Sequence, residues 1–292
     1  VIDASETVEL TCSFNSAMST KTVYWGDGTD DEMCLMFLYI TAGEYPGAKR
    51  PTELSTPQPT SGGAPLGKAP TLDWSQRHGG ASWDGPRDLT LHAGAEVSVV
   101  GFVDSAGAPD IGGTTGGYNA LLMRHKPDGA VRWSLVMAGA KAEWLIGVAP
   151  ASDDGDFIFG TSTSPSLPVG AAVLEGAGGE DAFVAKIDSD GAPVWARRFG
   201  GVGNDDSRAI SELPAGGFVT VSRHGEAFVL DGKTYGAKDV SAIIRWNDDG
   251  SVAWVRTIAT PNGSLDAVAV APDGHIYAGG SSAGDALLVS YL

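Results

Sequence analysis

Met33 stands beside Cys34, one of only two cysteines, directly after the acidic turn Gly26-Asp27-Gly28-Thr29-Asp30-Asp31-Glu32. A thioether is a soft, uncharged ligand that suits Cu(I), so Met33 is a candidate copper ligand. The other cysteine, Cys12, is separated from Cys34 by 21 residues. That spacing fits one closed loop, which a disulfide would stabilise by about 3 kcal/mol in the chain-entropy model. It fits two buried thiols equally well. Asp27, Asp30, Asp31 and Glu32 read as a solvated turn rather than catalytic acids, because no partner base is identifiable. No nucleophile–base pair stands out anywhere in the chain.

Several weaker patterns carry less. Gly62-Gly63-Ala64-Pro65-Leu66-Gly67-Lys68 has the spacing of a phosphate loop, but Ala69 replaces the hydroxyl residue and Pro65 removes an amide from the cradle. Gly280-Ser281-Ser282-Ala283-Gly284 fits Gly-x-Ser-x-Gly but joins two strand-like runs, whereas a nucleophile elbow leads from strand to helix. The clusters Asp153-Asp154-Gly155-Asp156, Asp188-Ser189-Asp190-Gly191 and Asp205-Asp206 could offer oxygen ligands to Ca²⁺. Their recurrence at one repeat position favours turn chemistry instead.

The elements that must hold these residues are strands. Trp74, Trp133, Trp195 and Trp254 recur at intervals of 59, 62 and 59 residues, and the last three each follow an Asp-Gly pair by five positions. The copies also share Asn119-Ala120-Leu121-Leu122-Met123, Asp181-Ala182-Phe183-Val184-Ala185, Ser241-Ala242-Ile243-Ile244-Arg245 and Asp285-Ala286-Leu287-Leu288-Val289. Short β-branched or aromatic runs between Gly and Asp turns are strands, and helix-period patterns are essentially absent. Four strands per period predict an all-β chain with a four-bladed or partial β-propeller over residues 71–292. The repeating tryptophans are expected to pack between blades, because one register is not one cleft. Residues 71–77 are expected to pair beside residues 285–292 and close the ring, since an unpaired edge invites aggregation. A partial arc is the rival.

Residues 46–70 carry Pro46, Pro51, Pro57, Pro59, Pro65 and Pro70 with few large apolar side chains, the composition of a linker. It separates the repeats from residues 1–45, where one basic residue faces eight acidic ones. The whole chain carries −17, from 19 basic and 36 acidic residues, which argues against nucleic acid as a partner. No apolar run approaches the ~20 residues of a membrane helix.

Residues 1–45 resemble the end of the catalytic domain of the copper type II, ascorbate-dependent monooxygenases. The matching residues are Gly28-Thr29-x-Asp31-Glu32-Met33-Cys34, Cys12, and the apolar run Leu35-Met36-Phe37-Leu38-Tyr39-Ile40. The resemblance implies the end of a β-sandwich, a Cys12–Cys34 disulfide, and Met33 as a ligand of the oxygen-activating copper. It further implies an oxidoreductase parent that hydroxylates a small organic substrate with O₂, copper and ascorbate. That family also uses a His-x-His pair upstream of the methionine. His78, His92, His125, His224 and His275 contain no such pair and all follow Met33. The chain is therefore expected to be the C-terminal portion of a longer protein, inert alone. A disulfide implies an oxidising compartment: extracellular, periplasmic or cell surface. Residues 71–292 resemble the propeller repeats of large bacterial secreted proteins and lipoproteins. The competing expectation is a binding or scaffold module whose propeller docks a protein or a glycan.

Overall fold

The computed structural model describes residues 73–79, 83–104 and 117–292. All of them belong to the unit Pro70–Leu292. Cys12, Met33 and Cys34, with the β-sandwich end expected over 1–45 and the linker over 46–70, lie outside the described residues.

The described residues are all-β, with one short 3-10 turn at Ala93–Ala95. The first sheet takes β1 (Gly85–Leu91), β2 (Val97–Val103), β3 (Asn119–His125) and β4 (Val131–Met137) in chain order. The second is built from β5 (Glu143–Pro150), β6 (Asp156–Ser162), β9 (Asp181–Ile187) and β10 (Pro193–Phe199). A separate hairpin, β7 (Ser166–Val169) and β8 (Ala172–Glu175), interrupts it. The third repeats this plan: β11 (Asp205–Glu212), β12 (Phe218–His224), β15 (Val240–Trp246) and β16 (Val252–Ala259). Its inserted hairpin is β13 (Phe228–Leu230) with β14 (Lys233–Tyr235). The fourth holds β17 (Leu265–Val270), β18 (Ile276–Ser282) and β19 (Asp285–Tyr291). Every neighbouring pair is antiparallel.

Successive sheets pack face to face along their first strands, β1 on β5, β5 on β11 and β11 on β17. The sequence pattern follows from that stacking. A central strand covered on both faces is a continuous buried run, as in Asp-Ala-Phe-Val-Ala-Lys-Ile of β9. The outer strand β10 is mostly half-buried instead, with Val194 exposed and only Phe199 buried. One face of β9 (Phe183, Ala185, Ile187) joins Val100, Leu122 and Met137 of the first sheet. The other face (Ala182, Val184) joins Phe218, Ile244 and Trp246 of the third. Phe157 and Phe218 stack at 4.4 Å across this second boundary. Each such buried side chain contributes about 1.5–3 kcal/mol.

The periodic tryptophans form a repeated clasp. Trp133 donates its Nε1–H to Ser189 O and Trp195 donates to Asp248 O, each at 3.0 Å and each in the next sheet's last turn. Trp74 does the same to Pro127 O of the first sheet, also at 3.0 Å. The indole lies over the turn glycine. A Cβ on Gly129, Gly191 or Gly250 would stand 2.7, 2.8 or 2.9 Å from the ring, and all three have positive φ. Only glycine meets both demands. Trp254 rests instead on Tyr291, with centroids 5.9 Å apart.

Three expectations need correction. Residues 73–79 form no strand, and among the described residues β19 pairs only with β18, so of the pairing anticipated for 71–77 with 285–292 none is made by residues 73–77. The third repeat is displaced by one residue. Trp246 pairs with Phe218 as Ile187 pairs with Asp156, which makes Val240, not Ser241, the counterpart of Asp181. The local Ser-Ala pair imitates Asp-Ala, but burying Trp246, with its Nε1–H donated to Thr220 Oγ1 at 2.9 Å, sets the register. Finally, the inserted hairpins β7–β8 and β13–β14 add a pair of short strands to the four expected in the second and third repeats.

Candidate functional site

Two polar groupings gather at the end of the sheets where first and third strands begin. The first is wholly buried. Asp205 opens β11, and its Oδ2 accepts Gly201 N–H at 2.6 Å while its Oδ1 meets His224 Nδ1 at 2.6 Å. His224 Nε2 lies 2.8 Å from Ser222 Oγ. A carboxylate facing Nδ1 places the imidazole proton there, so Nε2 accepts from the serine hydroxyl. That is the connectivity of a nucleophile, base and orienting acid. All three side chains are nonetheless fully buried, and His224 stacks on Phe228 with centroids 3.7 Å apart. No substrate reaches this serine. The trio ties the start of β11 to the end of β12. Glu143, at the same position of β5, does equivalent work: it accepts Gly139 N–H at 2.8 Å, Ser162 Oγ–H at 3.1 Å and Ser164 Oγ–H at 2.5 Å.

The second grouping is open. A cavity of about 240 Å³ between the second and third sheets is lined by Trp144, Ile146, Thr161, Glu180, Asp206, Ser207 and Arg208. Backbone bonds hold its acids. Asp205 N–H donates to Glu180 O at 2.8 Å, and Ser207 N–H donates to Thr161 Oγ1 at 3.1 Å. Arg208 is the extra residue of a β-bulge between Ser207 and Ala209, and Ile146 occupies the same place in β5. A bulge re-aims its side chain, which is why neither follows the strand's alternation. Arg208 Nη2 lies 3.1 Å from Asp206 Oδ2, and Arg223 Nη1 lies 3.6 Å from the same oxygen. Asp266, the bulge residue of β17, lies 3.8 Å from Arg208 Nε.

The hydrogen bond from Asp206 pushes Glu180 up to about 7, with desolvation and the like charge adding to it and Arg208 opposing them. Glu180 therefore keeps its proton up to near neutrality. Beside the cavity runs an aromatic strip. The Trp144 ring lies 6.0 Å from Tyr118, and Tyr118 lies 5.1 Å from Phe102 and 6.5 Å from Trp83. Trp83 is 69 % exposed.

Of the sequence candidates, only Asp206 lines this cavity. Trp133 and Trp195 are part-buried in the sheet boundaries, and the acidic turn residue Asp153 pairs with Lys186 at 2.7 Å. Glu180, Trp144 and Tyr118 carried no signal in the sequence beyond breaking the repeat. Asp206 stood out only in the Asp205-Asp206 pair, which reads as turn chemistry, and Arg208 carried no signal.

No family model matches the chain, and no curated protein matches it. Similar solved structures include a protein of unknown function from Bacteroides caccae, at 7% identity and TM-score 0.38, covering 67% of this chain and 53% of that one. The chain thus spans about half the length of that protein. Virginiamycin B lyase from Staphylococcus aureus is similar at 11% identity and TM-score 0.34, covering 71% of this chain and 69% of the lyase. A catalytically inactive variant of that lyase with quinupristin is similar at 13% identity and TM-score 0.26, over 71% and 84%.

These findings overturn the monooxygenase reading: no family model and no curated protein supports it. Copper, oxidoreductase and monooxygenase are withdrawn with it. Met33 lies outside the described residues, and the described histidines serve the sheets. His92 is bound to Ser98 and Asp156 at 2.9 and 3.0 Å, and His224 to Asp205 and Ser222. Among the described residues no three His, Cys, Asp or Glu side chains converge as metal ligands.

Proposed function

We propose that residues 71–292 are a β-propeller-type module that binds a ligand without transforming it, with residues 46–70 as its linker and the four sheets as blades. The cavity of Trp144, Glu180, Asp206 and Arg208 is its binding mouth. The observation that carries this reading is the contrast in access between the two polar groupings. The trio with catalytic connectivity is sealed in the core, whereas the open cavity offers hydrogen-bonding groups and an aromatic wall. Concave sites with a few convergent polar groups and a perturbed acid are the default place for a ligand.

The full chain can be titrated with neutral oligosaccharides, acidic peptides and basic peptides, following tryptophan fluorescence, with mass analysis of each ligand afterwards. One class should bind saturably, be recovered unchanged, and lose affinity in Trp144→Ala. Ligand turnover, or binding indifferent to Trp144, would overturn the reading.

A further inference from the structure

We propose that the mouth recognises a neutral oligosaccharide, one sugar ring entering the Trp144–Glu180–Asp206–Arg208 cavity and the following rings lying along Tyr118 and Trp83. This inference rests on the binding-module reading and adds the ligand class.

Charge balance makes the first selection. Asp206 is faced by Arg208 at 3.1 Å and Arg223 at 3.6 Å, and Asp266 by Arg208 at 3.8 Å. A cationic ligand meets two guanidinium groups, and an anionic ligand meets the carboxylates within a chain already carrying −17. A neutral ligand meets neither penalty. Hydrogen bonding makes the second. Carboxylates only accept and guanidinium groups only donate, so a wall that alternates them suits groups that do both. Vicinal hydroxyls are such groups, and charged partners make each bond stronger than a neutral one. Glu180 widens the match, because a carboxyl that holds its proton near neutrality can also donate.

Shape makes the third. The cavity, at about 240 Å³, falls below the ~300–1,000 Å³ of sites that enclose a drug-sized ligand. It fits one ring of a chain rather than a whole ligand. Outside it, Trp144, Tyr118 and Trp83 follow one another at 6.0 and 6.5 Å between centroids, their planes turned by 39° and 77°, and Trp83, edge-on to the buried Phe102, is largely exposed. Flat aromatic faces next to polar groups suit the C–H faces of sugar rings, which are apolar while their edges are wet. The periodic tryptophans have no part in this strip, since their indoles are committed to the turn glycines.

The test is calorimetric titration of the full chain with neutral hexose and pentose oligomers, galacturonic acid oligomers and oligolysine. Neutral oligomers should bind. Asp206→Asn and Trp144→Ala should each weaken binding about tenfold, the equivalent of about 1.4 kcal/mol. Tyr118→Ala should weaken tetramers more than monosaccharides. Asp206→Asn changes a half-buried acid to its isostere, so the test survives if Trp144→Ala fails to fold. If an acidic or basic ligand binds instead, still with Trp144 dependence, the ligand class is wrong and the binding-module reading stands. If neutral oligomers bind equally to the wild type and Asp206→Asn, the site is not this cavity. If they are cleaved, the binding-only reading falls while the ligand class stands.

Discussion

The two ends of the sheets are built on opposite rules. At the turn end the same contact is made three times: an indole over a glycine, its Nε1–H given to a carbonyl at 3.0 Å, in Trp74, Trp133 and Trp195. At the mouth end the bulge of each first strand carries Arg87, Ile146, Arg208 and Asp266 in turn, three residue types over four positions. The backbone device is conserved across the four sheets while its side chain is not. Repetition marks what holds sheet to sheet, and departure from repetition marks what a ligand could distinguish.

The strongest way to break this comparison is at the clasp. Gly191→Ala forces a side chain onto a backbone with φ of +87°, with its Cβ 2.8 Å from the Trp133 ring. Gly232→Ala imposes a similar φ, +72°, with nothing within 4 Å. Left-handed strain alone costs about 1–2 kcal/mol, and overpacking adds about 1–3 kcal/mol. Denaturant midpoints should therefore fall further for Gly191→Ala than for Gly232→Ala. Equal losses would mean that the indole contact adds nothing.

A smaller effect separates the buried trio from the mouth. Ser222→Ala removes the hydroxyl that His224 Nε2 accepts from, leaving a buried acceptor unsatisfied at about 1–3 kcal/mol. Stability should drop while ligand affinity stays unchanged, and a fluorophosphonate should not label Ser222 in the wild type. Labelling, or lost affinity without lost stability, would move function into the core.

The smallest effect sharpens the mouth itself. Glu180 titrates at about 7 against an ordinary value of 4.5, so between these values the native chain holds more proton than the unfolded chain. Stability therefore falls as pH rises from about 4.5 to about 7 and is level with respect to this group beyond that window. The change is modest because the group is partly solvated. Thermal midpoints of the wild type, subtracted from those of Glu180→Gln, should show the wild type losing ground across that window. A pH-independent difference would mean that Glu180 is not held protonated by its surroundings.

Much of the scaffold was legible in the chain. Asp-Gly followed five residues later by Trp marks the β3–β4, β9–β10 and β15–β16 turns, because turn chemistry and indole packing are both local or strictly periodic. The slip at Ser241-Ala242 shows the limit of local matching: an imitation of Asp-Ala misled, and the buried indole of Trp246 decided the register. The motif at Met33 and Cys34 misled more seriously, because a short triplet with a cysteine spacing arises without the histidines that give copper its affinity.

Alternation of apolar residues, glycine turns and a recurring tryptophan determined from the sequence alone that the repeats are strands in antiparallel sets, as the described residues from Gly85 onward are. Those signals act between neighbours or at fixed offsets, so they can be read along a line. Only the tertiary structure decided which polar groups are sealed and which are open. Asp205 and Asp206 are adjacent in the chain, yet one is locked against His224 in the core and the other lines a cavity with Glu180. Successive residues of a strand face opposite ways, and what each side meets depends on a sheet packed against it from a distant part of the chain.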